Sequence, residues 1–110
     1  YEKLSNDKNF KVRKFASWCK PVHWLTTIIL KDMKLRDNCL IYLKKKGIDA
    51  RQMVNSINSS IHINKIIKKR FKNADKISKS SIHLPSGTSL SVKEIDYISK
   101  CVKNFFLKKK

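Results

Sequence analysis

Three stretches of this sequence carry a hydrophobic pattern regular enough to assign without further help. Near the C-terminus, Val92, Ile95, Ile98, Val102, Phe105 and Phe106 recur at helical spacing. Ser91 and Glu94 just ahead of that run fit a capping box, and Leu90 and Ile95 are spaced for a hydrophobic staple. The pattern predicts an amphipathic helix from Val92 to about Leu107, with Lys108 to Lys110 as a frayed basic end. Earlier, Leu35, Cys39, Leu40 and Leu43 make a helical stripe that Asp32 can cap and Gly47 can close. Lys44, Lys45 and Lys46 fall in its last turn, where cations complement the helix dipole. Between Pro21 and that cap, the run from His23 to Leu30 is β-branched and aromatic, and it predicts a largely buried strand.

The remaining signals are shorter. Ile48 to Val54 suits a second strand, and Asn55 to Asn64 is polar enough for a loop. Helical turns are expected within Ile66 to Phe71 and within Ala74 to Ser80, followed by a third strand at Ile82 to Leu84 that Pro85 stops. Three short strands need a covered face, and two amphipathic helices can supply it. The fold class is therefore α+β: a small two-layer domain with a short, mostly antiparallel three-stranded sheet under two main helices. Trp24, Phe105 and Phe106 are expected in its core. Residues 1–20 mix charges with isolated aromatics and show no period, so they read as a connecting segment ahead of a domain at residues 21–110. Tyr1, Phe10, Phe15 and Trp18 are expected to be partly exposed, or covered only by another molecule. A chain that starts at Tyr1 rather than Met is expected to be a piece of a longer protein.

Composition adds one loud feature, a net charge of +18 in 110 residues. A strongly basic chain suggests a polyanion partner. Yet only four of the 26 basic residues are arginine, the side chain that best matches phosphate and base edges. Lysine abounds together with Ile and Asn, a trio favoured by A/T-rich codons, so a nucleic acid is not the expected partner. The alternative reading is a small nucleic-acid-binding module using Lys65, Lys68, Lys69, Arg70 and Lys72. It lacks interleaved aromatics for base stacking, with Phe71 alone beside the cluster. No apolar run is long enough to span a bilayer, and no membrane partner is expected. Three widely spaced cysteines and the absence of an apolar leader at the N-terminus suit a cytoplasmic protein.

No catalytic constellation is visible. Cys19 and His23 are four apart, but the other Cys and His residues show no paired metal-site spacing, so no metal site is expected. The eight carboxylates form no pair placed for general acid–base work, and two glycines make no phosphate-cradling loop.

Order and spacing of several short motifs carry more. Trp24 is followed by Arg36-Asp37, Leu43, and Lys46-Gly47-Ile48-Asp49-Ala50-Arg51. Ala74-Asp75, Ile77-Ser78, Ile82, Leu84-Pro85-Ser86-Gly87, Leu90-Ser91 and Glu94-Ile95 complete the run. This series resembles the C-terminal segment of the DegT/DnrJ/StrS sugar aminotransferases, with perosamine-synthase-like members nearest, over roughly Trp18 to Phe106. The resemblance implies the small C-terminal domain of a fold-type-I aminotransferase, usually a homodimer. Pyridoxal phosphate would be held by a lysine of a large domain that lies outside these residues. It implies amino transfer to a keto-sugar nucleotide in surface-polysaccharide or sugar biosynthesis, with no catalytic residue and no cofactor-binding residue in this chain itself. Arg51, Asn55 and Asn58 are the implied substrate-binding residues. Many family members carry an aromatic–x–Pro–x–His pattern after the Arg51 position, whereas here Ser56 stands in the Pro place and Asn58 in the His place. Asn58 can hydrogen-bond a sugar hydroxyl or a phosphate but does not titrate near neutral pH.

Overall fold

The computed structural model describes residues 1, 4, 7–22 and 24–107. The chain runs through β1 (Lys11–Val12), β2 (Thr26–Ile29), α1 (Met33–Lys45) and β3 (Arg51–Gln52). A 3-10 turn at Ile57–Ser59 follows, then α2 (Ile61–Ile66), α3 (Lys72–Ser80), β4 (Ser81–Leu84) and α4 (Val92–Leu107). The strands form one sheet in the order β1-β2-β4-β3, every pairing antiparallel. The class is the expected two-layer α+β, with four strands among the described residues instead of three.

Local chemistry fixes the two long helices. Asp32 accepts the Leu35 backbone N–H at 2.8 Å, closing the start of α1. At its other end Gly47 takes a left-handed φ of +73°, its N–H reaching the Lys44 carbonyl at 3.0 Å. The Ile48 N–H bonds the Leu43 carbonyl at 3.0 Å, which completes a Schellman closure and swings Ile48 into the core. A side chain at position 47 would meet nothing within 4 Å, so the positive φ, not space, demands glycine there. For α4, the Glu94 carboxylate accepts the Ser91 N–H at 2.7 Å while Ser91 Oγ receives the Glu94 N–H at 3.3 Å. The Ser91 hydroxyl also donates to that carboxylate at 2.7 Å, and this bond, with the one from the Ser91 N–H, holds the Glu94 carboxyl below the usual carboxylate range.

β2 and β4 are the central strands, with Thr27 opposite His83 and Ile28 opposite Ile82. The pleat sends Ile28, Ile82 and Leu84 to one face, where they are fully buried with Cys39 and Leu43 of α1 and Ile98, Val102, Phe105 and Phe106 of α4. Thr27 and His83 lie on the opposite face, only half-buried. Tyr97 of α4 donates its hydroxyl to the Lys46 carbonyl at 3.0 Å, tying the two long helices together.

Several expectations need correction. Trp24 is not core: it precedes β2 and is 79% exposed, while Phe105 and Phe106 are buried as expected. The strand expected from residue 23 to Leu30 forms as β2 over Thr26–Ile29 only, and His23 lies outside the described residues, as do Lys108 to Lys110. The second strand contracts to Arg51–Gln52, because an edge strand needs only the two residues that face β4. The stretch read as loop holds the 3-10 turn and most of α2, and the helical turn expected within Ile66–Phe71 falls instead at Ile61–Ile66. Val92 starts α4 at 75% exposed, at the solvent end of the apolar stripe.

The largest difference concerns Phe10, which is buried rather than exposed. β1 pairs with β2, Val12 opposite Ile28, and this carries Phe10 onto Phe106 with ring centroids 5.3 Å apart. Phe106 meets Phe105 edge-on at 5.0 Å, and Phe105 meets Tyr42 of α1 at 5.5 Å, so one aromatic chain crosses the core. Leu4 is also fully buried. Phe15 and Trp18 are exposed, as expected, and the half-buried Tyr1 donates its hydroxyl to the Pro85 carbonyl, burial pushing its pKa up to about 12.

Phe10→Ala should therefore destabilise the chain by about 3–5 kcal/mol, comparable with about 2–5 kcal/mol for Ile98→Ala. Val92→Ala should stay within about 0.5 kcal/mol of wild type. Urea unfolding of the three variants tests this, and a Phe10 variant as stable as the Val92 variant would remove β1 from the core. Gly47→Ala should cost about 1–2 kcal/mol in the same assay through left-handed strain alone.

Candidate substrate loop

The segment that leaves α1 is shaped by the Gly47 closure. Ile48 anchors it in the core, the Ala50 N–H returns to the Ile48 carbonyl at 3.0 Å, and the chain then pairs along β4 with Arg51 opposite His83. The Met53 N–H extends the ladder to the Ser81 carbonyl at 3.1 Å. Beyond Met53 the chain leaves the sheet and turns through Ser56 to Ser60.

The three implied substrate residues are placed differently from one another. Arg51 is exposed and forms an ion pair with Asp49 at 2.9 Å, with both side chains more than three-quarters exposed. Such a pair is weak and readily exchanged for another anion. Asn55 is exposed. Asn58 is buried, its Nδ2 donating to Asp75 Oδ1 at 3.1 Å. Ser56 Oγ donates to that same carboxylate oxygen. The geometry thus gathers Ser56 and Asn58 onto Asp75. No hydrogen bond among the described residues joins Arg51 or Asn55 to Asn58.

Asp75 has no role in the sequence reading beyond its place in a motif. It sits in the first turn of α3, where a negative charge suits the helix dipole. The Ser56 and Asn58 hydrogen bonds hold its carboxyl below the usual carboxylate range, with Lys79 and Arg70 adding to the effect. Its partners lie 17 and 19 positions away in sequence, so only the spacing of turn and helix start hints at the contact. Asn58 Oδ1 is buried with no hydrogen-bond partner, an acceptor left open.

A second polar row lies on the sheet face away from the core. Thr27 Oγ1 and His83 Nδ1 are 2.9 Å apart, and Arg51 stands opposite His83 on the next strand. Burial lowers the His83 pKa, favouring the neutral ring, and its Nε2 is buried without a partner. Among the described residues, no three Cys, His, Asp or Glu side chains come close enough to hold a metal ion. Cys39 and Cys101 are buried and Cys19 is half-buried, and none of the three is in a disulfide. No helix of the described residues is long and apolar enough to cross a membrane.

Pyridoxal phosphate, the cofactor implied by the resemblance, would need an enclosed lysine and a cup of backbone donors for its phosphate. Every described lysine is exposed, except Lys103, which is half-buried on α4. Gly47 ends a helix, and Gly87 lies in the turn after β4. The described residues do not fit the cofactor.

The pattern of the DegT/DnrJ/EryC1/StrS aminotransferase family matches residues 1–103. The chain belongs to this family. Its fold is shared with solved aminotransferases of low sequence identity. Over 99% of this chain it superposes on the aminotransferase TlmJ from Streptoalloteichus hindustanus with a TM-score of 0.85 at 12% identity. Helicobacter pylori PseC, an aminotransferase involved in the biosynthesis of pseudoaminic acid, matches 97% of the chain with a TM-score of 0.82 at 18% identity. The sugar aminotransferase CalS13 from Micromonospora echinospora matches 94% with a TM-score of 0.80 at 14% identity. The chain spans only 29%, 30% and 27% of those three proteins. No protein of curated function matches the sequence significantly. The DegT/DnrJ/EryC1/StrS match extends to Tyr1, so β1 and Phe10 fall within the family pattern.

If Asp75 organises the loop, Asp75→Asn should raise amide exchange at residues 56–60 by about tenfold while the global melting temperature changes little. The wild-type loop should lose the same protection on acidification. The folded Asp75 pKa is depressed, so its contribution is complete above the unfolded value of about 4 and disappears as pH falls through the lower folded value. Loop exchange that ignores both the substitution and the acid step would exclude this role.

Proposed function

We propose that these residues are the C-terminal small domain of a pyridoxal-phosphate-dependent aminotransferase acting on a keto-sugar nucleotide. The domain proper would be residues 21–110, with 1–20 leading into it from the large domain. The observation that carries the reading is the family match over residues 1–103, taken with a span of under a third of the aminotransferases that share the fold. The cofactor, its lysine and the partner subunit of a homodimer belong to the longer protein, which would act in the cytoplasm in surface-polysaccharide or sugar biosynthesis. This chain contributes a wall of the substrate site and is not catalytic alone.

In this reading Arg51 exchanges its exposed Asp49 partner for a substrate phosphate, a stronger charge-assisted bond. Asn58, held by Asp75, keeps its buried Oδ1 unpaired, so a shift of the loop that uncovers it supplies an acceptor for a sugar hydroxyl, and Asn55 adds a donor at the loop's exposed rim. Because Asn58 carries no proton that titrates near neutrality, it orients substrate without serving as an acid or base. The exposed apolar side chains Phe15, Trp18, Val22, Trp24 and Leu25 suit a surface that meets the large domain.

The test uses the longer protein that continues upstream of Tyr1. Supplied with glutamate and a keto-sugar nucleotide, it should release 2-oxoglutarate, and Arg51→Ala or Asn58→Ala should raise KM by about tenfold or more. The present chain, incubated with pyridoxal phosphate and desalted, should keep no stoichiometric absorbance between about 390 and 430 nm. An aldimine band retained on one lysine of this chain, or a longer protein indifferent to both substitutions, would overturn the reading.

A further inference from the structure

As the loop stands, Asn58 cannot reach a substrate: it is only 7% exposed, and its Oδ1 is buried with no partner. A buried carbonyl oxygen without a donor costs about as much as a good hydrogen bond returns, so another contact must hold the loop over it. Ser56 supplies that contact. It stands at the N-cap position of the 3-10 turn, yet its hydroxyl caps none of the turn's N–H groups. It donates instead to Asp75 Oδ1 on α3. Within the turn, the Ser59 N–H reaches the Ser56 carbonyl at 2.9 Å and the Ser60 N–H the Ile57 carbonyl at 3.1 Å. Among the described residues, only the Ser56 and Asn58 bonds to Asp75 join residues 54–59 to a strand or another helix by hydrogen bonding. Asp75 is a firm anchor, because its own N–H and carbonyl are bonded at 3.0 Å to the Phe71 carbonyl and at 3.1 Å to the Ser78 hydroxyl.

The two bonds to Asp75 restrain different things. Nδ2 and Oδ1 are the two ends of one amide, so Nδ2 can stay on Asp75 while Oδ1 turns toward a new donor. The Ser56 bond pins the start of the turn against α3 and so keeps Oδ1 covered. We propose that the Ser56–Asp75 hydrogen bond is an autoinhibitory latch on the substrate loop, released when a sugar hydroxyl takes Asn58 Oδ1. This inference rests on the aminotransferase reading and adds to it how access to the loop is controlled. A binding-competent state that is only partly populated weakens apparent affinity by that fraction, so removing the latch strengthens substrate binding. A residue that contacts substrate, or one that merely supports the loop, has the opposite sign and raises KM when it is lost.

The test uses the longer protein with glutamate and a keto-sugar nucleotide, and the present chain for the loop alone. Ser56→Ala should lower KM for the sugar nucleotide by about threefold to tenfold, with kcat within about twofold of wild type. KM for glutamate should stay within about twofold. Ser56→Thr keeps a hydroxyl and should return KM to the wild-type value, whereas Arg51→Ala and Asn58→Ala raise it. In the present chain, amide exchange at Ser59 and Ser60 should rise about tenfold in Ser56→Ala and not in Ser56→Thr. A variant that failed to fold would lose activity, so misfolding cannot imitate a lower KM. If Arg51→Ala raises KM while Ser56→Ala leaves it unchanged or raises it, the substrate reading stands and the latch is overturned. A KM lowered equally by Ser56→Thr would overturn it too, and so would loop exchange indifferent to Ser56→Ala. Indifference to both Arg51→Ala and Asn58→Ala would remove the substrate reading itself, and the latch with it.

Discussion

The pairing of β2 with β4 is the constraint from which the rest of the architecture hangs. Thr26–Ile29 and Ser81–Leu84 are more than fifty residues apart, and their alignment places Ile28 against Ile82 beneath α1 and α4. β1 attaches to the outer edge of β2, and β3 to the outer edge of β4. The Leu30 N–H to Ser80 carbonyl bond, at 2.9 Å, continues that ladder into the end of α3. A slip of one residue would turn Ile28 and Ile82 to the open face and bring Thr27 and His83 under the helices. The buried face sets the register, and the register then brings the Arg51 strand to its edge and fixes where the loop behind it begins.

What the sequence reveals follows from how local each signal is. α4 was legible because its capping box and apolar repeat lie within seventeen consecutive residues, and Ser91 and Glu94 bond as their spacing implies. The end of α1 was equally legible, since only glycine accommodates the +73° φ at Gly47 cheaply. β1 was not. Two residues, Lys11 and Val12, between Phe10 and Arg13 carry no period, and Phe10 is buried only because the pairing with β2 swings it onto Phe106. Trp24 misled for the opposite reason. A β-branched run follows it, but the ladder starts only with that run, two residues later at Thr26, and the indole is left outside.

The candidate loop shows the same division. Family-like spacing pointed to Arg51, Asn55 and Asn58, yet it carried no information on what organises them. Of the three, Asp75 holds Asn58 alone, from the first turn of α3, accepting from Ser56 and Asn58 at once. A single carboxylate oxygen with two donors is well satisfied, whereas the Asn58 carbonyl oxygen buried beside it is not. Under the proposed function, the group that orients substrate there is a neutral amide fixed by a neighbouring charge.

Charge in this protein is best understood by where acids are missing, not by the total of +18. Around α1 and α4 the lysines share the surface with Asp32, Asp37, Glu94 and Asp96, so local fields partly cancel. Arg36, buried on α1, keeps Asp37 as its partner at 2.7 Å even though its Nη1 has none. From Ala50 to Ala74 no such compensation exists, and that is also where isoleucines stand open to water. Residues 8–31 are equally free of carboxylates and set Lys8, Lys11, Arg13, Lys14, Lys20 and Lys31 beside the exposed Trp18, Val22 and Trp24, so such stretches are what eight acids spread over 110 residues leave between them.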